Sequence, residues 1–188
     1  MKTTINHIGT VKTGIFPKTI SEGEILYLQP RHFNEDGQIV SIVHPEIRKD
    51  DVRAKDLLRE GDILFAAKGS KNFAVLFEGT DQPAVASTSF LVIRLSDNCR
   101  DIILPKFLVW FMNLPNTRKL LQNQAEGTSL PSIAKSVISE LEIPLPTIQT
   151  QYTILNVTRL QAREKELKKR IETLREQQIQ YYLLNAIS

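Results

Sequence analysis

Leu160, Leu167, Leu174 and Tyr181 recur at intervals of seven near the end of the chain, and Val157 and Ile171 occupy the alternate seam position between them. This is the apolar stripe of a helix that packs along another helix. Glu164, Gln178 and Asn185 fall on the same stripe. Polar residues there fix register or orientation and lower stability. Gln149 to Ala186 contains neither proline nor glycine and is rich in Leu, Glu, Lys, Arg and Gln, all strong helix formers. The pattern predicts one helix of about 38 residues and about 57 Å, with Thr147 as a plausible N-cap. Upstream, Ile143-Pro144-Leu145-Pro146 cannot continue a helix and favours extended backbone. The chain therefore divides into residues 1–146 and a terminal helix within 147–188.

The first part changes pattern often and reads as mixed. Ile25–Leu28 and Ile39–Val43 predict strands, joined through the turn sequence Asn34-Glu35-Asp36-Gly37. Ile63–Ala67 and Phe73–Phe77 flank the loop Lys68-Gly69-Ser70-Lys71-Asn72, the strongest hairpin signal in the chain. Ser89–Leu95 is a further strand. Pro105–Asn113 and Pro115–Ala125 each place proline in the first turn of a helix. Pro131–Ser139 is a third, short helix, and Leu141-Glu142-Ile143 a last strand. The expected fold class is α+β: a mixed β-sheet domain with short helices, then one long C-terminal helix forming an antiparallel coiled coil. The alternative for that helix is that it lies along its own domain.

Composition narrows the class. The chain has 188 residues, 41% hydrophobic and 24% charged, as expected of a soluble globular protein. It has no apolar run long enough to span a membrane and no secretion-type leader at its start, and its one cysteine, Cys99, forms no internal disulfide. A cytoplasmic location is expected. The net charge is +3, and its distribution is uneven. Residues 1–148 hold 17 basic and 17 acidic side chains, and residues 149–188 hold 7 against 4. A DNA-binding role for the first part therefore requires local patches. Ile63–Phe77 holds Lys68 and Lys71 and no acid; Ile102–Ser139 holds Lys106, Arg118, Lys119 and Lys135 against Glu126.

Catalytic chemistry finds little support. His7, His32 and His44 are scattered, and none has a second metal ligand at helical spacing. Phosphate-cradling glycine motifs and a serine-hydrolase elbow are absent. Cys99 has no identifiable general base. A metal-dependent nuclease would need a carboxylate two residues before Lys68, but Ala66 stands there, so Asp62 has no partner for a metal. Neither a catalytic nor a metal site is expected.

An ordered set of features remains. Glu60-Gly61-Asp62-Ile63-Leu64-Phe65 leads into the glycine-containing hairpin, and Ala86-Ser87-Thr88-Ser89-Phe90-Leu91-Val92-Ile93 follows. Then come the apolar helix with Phe107, Leu108, Trp110 and Phe111, and Glu126-Gly127-Thr128-Ser129-Leu130-Pro131. Leu141-Glu142-Ile143-Pro144-Leu145-Pro146, Gln151 and the long helix close the series. In this order they resemble the DNA-specificity subunit of type I restriction-modification systems, over essentially the whole chain. The match is to one target-recognition domain and one spacer helix. The usual subunit carries two of each, and this chain departs again in having Thr150 where an acid is common before the helix.

The resemblance implies sequence-specific binding of double-stranded DNA by the first domain, with the helix setting the distance to a second one. It implies a homodimer, or pairing with a second half-subunit, through Val157, Leu160, Leu167, Ile171, Leu174 and Tyr181. A two-fold pair would read a split palindrome. It also implies a DNA methyltransferase subunit and a motor-nuclease subunit as partners, which would carry S-adenosylmethionine and ATP; no cofactor is expected on this chain. Base reading needs donors and acceptors on projecting loops. The candidates are Lys68, Ser70, Lys71 and Asn72 at the hairpin tip, then Gln29, Arg31 and His32, then Ser87, Thr88 and Ser89. Lys165, Lys168, Lys169 and Arg170 form a charged helix face suited to solvent, phosphates or a partner subunit. The rival reading is a coiled-coil adaptor that binds protein and has no affinity for DNA.

Overall fold

The computed structural model describes residues 1–34, 37–69, 71–99, 101–125 and 131–187. Two compact units are present, Met1–Ile148 and Gln149–Ser188. The first begins with β1 (Lys2–Thr4), α1 (Ile5–Ile8) and β2 (Gly9–Thr13), then β3 (Ile25–Leu28), β4 (Pro45–Ile47), β5 (Ile63–Ala66), β6 (Ala74–Leu76), β7 (Ala84–Ala86) and β8 (Phe90–Leu95). It ends with α2 (Pro105–Asn113), α3 (Pro115–Gln122), α4 (Lys135–Ser139) and β9 (Glu142–Pro144). Short 3-10 turns lie at Pro30–His32, Lys49–Asp51, Ala54–Asp56 and Asp97–Cys99.

The strands form a four-stranded sheet in the order β2-β8-β5-β6, a three-stranded sheet β4-β3-β7 and the pair β1-β9. β5 has a neighbour on each side and is fully buried from Ile63 to Ala66. That burial explains its unbroken apolar run, which contrasts with the alternation of a half-exposed strand. The hairpin pairs Ile63 with Leu76, Leu64 with Val75 and Phe65 with Ala74. β6 is an edge strand, and α2 packs against it. Asn113, the last residue of α2, meets both polar groups of Ala74: its Oδ1 accepts from the Ala74 N–H at 2.9 Å, and its Nδ2 donates to the Ala74 carbonyl at 2.8 Å. A side-chain amide thus stands in for a neighbouring strand at this edge. Of the apolar residues in α2, Phe107, Leu108 and Met112 are buried, while Trp110 and Phe111 are half-buried.

The expected strand at Ile39–Val43 does not form. Ile39 makes only an isolated bridge to Phe33, and Ile39, Val40 and Ile42 are exposed. The antiparallel neighbour of β3 is instead the short β4, and its other neighbour is β7, in parallel. A β-branched apolar run is a strand signal only where a sheet has room to cover it. The third helix is shorter than expected and begins at Lys135. The segment 126–130 and the centre of the Asn34–Gly37 turn lie outside the described residues.

Asp62 enters β5 and is 1% exposed. Arg94 from β8 meets it in a two-pronged ion pair, Nε to Oδ1 at 2.7 Å and Nη2 to Oδ2 at 2.5 Å. Arg94 also donates to the Leu57 carbonyl at 3.0 Å, and Asp62 accepts from the Arg59 N–H at 2.8 Å. The carboxylate is therefore committed to holding the entry to β5 against β8. Among the described residues there is no cluster of His, Cys, Asp or Glu able to hold a metal ion.

The second unit holds all but the first residue of α5 (Ile148–Ala186), a single helix of 39 residues. Its seam side chains are exposed in the single chain: Val157 by 49%, Leu160 by 63%, Leu167 by 44%, Ile171 by 49%, Leu174 by 54% and Tyr181 by 63%. Surface ion pairs Arg163–Glu166 and Glu164–Lys168 add only weak local support. No described helix is long and apolar enough to cross a membrane.

Candidate nucleic-acid interface

Three loops carry the expected reading residues, and a buried or nearly buried phenylalanine follows each of them directly. Phe33 follows His32, Phe73 follows Asn72 and Phe90 follows Ser89. The three rings pack together. Phe33 and Phe90 meet edge to face with centroids 5.8 Å apart, Phe73 and Phe90 likewise at 6.3 Å, and Phe33 lies 6.3 Å from Phe73. Such contacts add about 0.5–1.5 kcal/mol each beyond burial. The cluster pulls three sequence-distant loops to one end of the sheets. Backbone hydrogen bonds fix the same convergence: Ser87 N–H donates to the Leu28 carbonyl at 2.9 Å, and Ala67 N–H to the Ser89 carbonyl at 2.9 Å.

The hairpin tip is braced on two sides. On one, Ile133 N–H donates to the Ala67 carbonyl and Gly69 N–H donates to the Pro131 carbonyl, both at 2.9 Å, so that Lys68 bridges to Ser132. On the other, Asn72 Nδ2 donates to the Ala66 carbonyl at 2.9 Å and to the Gly69 carbonyl at 3.4 Å. Gly69 has φ +92°, a left-handed backbone that favours glycine, with open space beside it. Lys68 and Lys71 are exposed on this braced loop, and Arg31 is exposed on the neighbouring one.

Three expected readers do not project. Asn72 is 4% exposed, and its amide is engaged with loop carbonyls. Ser87 is 5% exposed, with no hydrogen-bond partner for its hydroxyl among the described residues. His32 is 9% exposed, and its Nδ1 accepts from the Gln29 N–H at 3.3 Å. Short polar residues beside a turn are as suited to stapling the turn as to reaching outward. Gln29, Thr88 and Ser89 are half-buried, and Ser70 lies outside the described residues. The signal that sequence reading missed is the phenylalanine closing each loop, which marks where the loop re-enters the core.

Burial, then the neighbouring Arg31 guanidinium, hold the His32 imidazole below its ordinary value of 6.5. The unfolded chain therefore binds the proton first as pH falls. The contribution of neutral His32 is fully present above the unfolded value and is lost as pH drops below it. Thermal denaturation between pH 7.5 and 5.5 should show a shallower loss of stability for His32→Gln than for the natural chain. Equal slopes would place the acid sensitivity elsewhere.

Solved structures share this arrangement of a mixed-sheet domain followed by a long helix. The chain aligns with a chain of a structure described as the structural basis of complex assembly and conformational transition of the type I R-M system, with TM-score 0.66, 22% identity, and coverage of 90% of this chain and 44% of that one. It aligns with the HsdS subunit from Thermoanaerobacter tengcongensis with TM-score 0.61, 23% identity, and coverage of 90% and 44%. The S subunit of the type I restriction-modification system from M. genitalium gives TM-score 0.59, 19% identity, and coverage of 85% and 38%. In sequence, 108 residues are 32% identical to the type I restriction enzyme HindI specificity subunit of Haemophilus influenzae (strain ATCC 51907 / DSM 11121 / KW20 / Rd), covering 56% of this chain and 23% of that protein. The model of the type I restriction modification DNA specificity domain matches residues 4–177. The chain belongs to that family. It spans less than half the length of each of these relatives.

Proposed function

We propose that this chain reads a short duplex sequence through the loop end described above, as one half of a type I specificity subunit. The observation that carries this reading is the packing of Phe33, Phe73 and Phe90 beneath three loops, two of which expose Arg31, Lys68 and Lys71. The cations attract phosphates and suit guanine edges, and the bracing of the hairpin gives them a fixed spacing. Two copies, or this chain and a second half-subunit, pair antiparallel through the α5 seam and read two inverted half-sites of a split palindrome. The methyltransferase and motor-nuclease subunits of such a system supply the chemistry, with S-adenosylmethionine and ATP bound on them. This chain targets and does not catalyse.

The competing reading, a protein-binding adaptor, rests on the same exposed seam. A gel shift with random duplex at two salt concentrations, with and without the methyltransferase subunit, separates them. DNA binding that weakens with salt is expected; no binding at low salt would favour the adaptor. For the tip, Lys71→Ala should weaken the selected target more than random duplex, by about 1–3 kcal/mol if the lysine meets a base. Equal loss on every duplex, with the salt slope reduced by about 1, would assign Lys71 to a phosphate.

A further inference from the structure

Phe16 is 85% exposed, the most exposed aromatic ring among the described residues, and nothing in the fold explains it. Its backbone, in contrast, is held firmly. Ile15 N–H donates to the Ala86 carbonyl at 2.8 Å, and the Ile15 carbonyl accepts from the Tyr27 hydroxyl at 3.1 Å. Burial pushes the Tyr27 phenol above its ordinary range, so it remains a donor. Gly14 lies so close to the Ala86–Ser87 backbone that a Cβ would collide with both carbonyl oxygens. Pro17 follows and restricts Phe16 to extended backbone. A large apolar ring is thus presented to solvent from a rigid base.

The location of that base gives the ring a use. Gly14 N–H donates to the Phe90 carbonyl on one side of β8, and Ala67 N–H donates to the Ser89 carbonyl on the other. The segments leading to Phe16 and to Lys68 therefore flank one strand, about 9.5 Å apart at two strand spacings. Ile15 also forms a bridge with Ser87, beside Thr88 and Ser89. Phe16 stands at the same loop end as Lys68 and Lys71. A protein partner binding through Phe16 would have to cover these lysines as well, whereas a duplex complements both: phosphates meet the cations, and the ring meets the apolar part of the groove.

We propose that Phe16 is a specificity-determining residue that makes an apolar contact with double-stranded DNA, at a thymine methyl or between base steps. The inference rests on the DNA-reading function proposed above. The ring needs little ordering on binding, since it has two side-chain torsions and a fixed backbone. An apolar contact releases no phosphate counterions, so its loss should leave the salt dependence intact.

The test uses the full chain with its methyltransferase partner and a target selected from a random duplex pool. Phe16→Ala should bind the selected target about tenfold more weakly, with random-duplex affinity, salt slope and melting temperature unchanged; Phe16→Leu should retain part of the discrimination. Replacing thymines of the target with uracil one at a time should weaken the natural chain at one position and leave Phe16→Ala unaffected there. If uracil has no effect but Phe16→Ala reduces DNA bending, measured by energy transfer between duplex ends, the contact is between base steps. Equal affinity of Phe16→Ala and the natural chain for every duplex would overturn the proposal. So would loss of methyltransferase assembly without any change in DNA discrimination. A natural chain that distinguishes no duplex from any other would overturn the reading function itself, and this inference with it.

Discussion

With Leu167 and Leu174 both replaced by Asp, the chain is expected to sediment as a monomer and to lose binding to a two-half target. The proposed pairing would bury four such leucines, two from each copy. At about 1.5 kcal/mol for each leucine lost, association weakens by about 6 kcal/mol, or about 10⁴-fold. Carboxylates facing an apolar seam add a desolvation penalty. Both leucines are about half exposed in the single chain, so the substitutions leave the first unit's core untouched. A charge change off the seam, Lys169→Asp, serves as the control and should leave the dimer intact. Persistence of a dimer in Leu167→Asp/Leu174→Asp would refute the seam. Circular dichroism of the monomeric variant should also show reduced helix content, because a lone surface helix draws most of its stability from its packed face.

The second large effect concerns the Asp62–Arg94 pair. Removing one partner from a buried ion pair strands the other charge and costs about 3–5 kcal/mol. Arg94 retains partial access to water, with its side chain 21% exposed, so the lower end applies to Asp62→Ala. At about 2–4 °C per kcal/mol for a domain of this size, the melting temperature should fall by roughly 6–12 °C. A substitution replacing both partners with apolar residues, Asp62→Leu with Arg94→Met, should recover much of the loss, since an apolar pair of similar volume carries no desolvation penalty. A loss below about 1 kcal/mol in Asp62→Ala would show that the pair is solvated and that β5 is held by packing alone. DNA discrimination by the folded fraction should be unchanged, because Asp62 precedes β5 and the proposed reading loop follows it.

These effects separate what local pattern reveals from what only packing decides. The heptad in α5, the prolines opening α2 and α3, and the hairpin of β5 and β6 all rest on short-range periodicity, and each stands close to where the pattern puts it. The segment Ile39–Val43 has the same apolar, β-branched character as β5 yet lies outside any sheet, because strand formation depends on a partner that sequence does not name. β1, α1, β2 and β7 are short elements whose local signals are weak; long-range pairing with β9, β8 and β3 holds the strands in place.

The candidate site divides along the same line. By itself the sequence determined that basic and polar residues sit on turns, and that a long helix presents an apolar stripe. The tertiary structure alone decided that three turns share one aromatic cluster. It also decided that Asn72, Ser87 and His32 face inward, and that the segment leading to Phe16 flanks the same strand as the segment leading to Lys68. The physical reason is that a turn residue's chemistry is fixed by its identity, whereas its direction is fixed by which buried neighbours its loop must reach. The rings of Phe33, Phe73 and Phe90 set those neighbours.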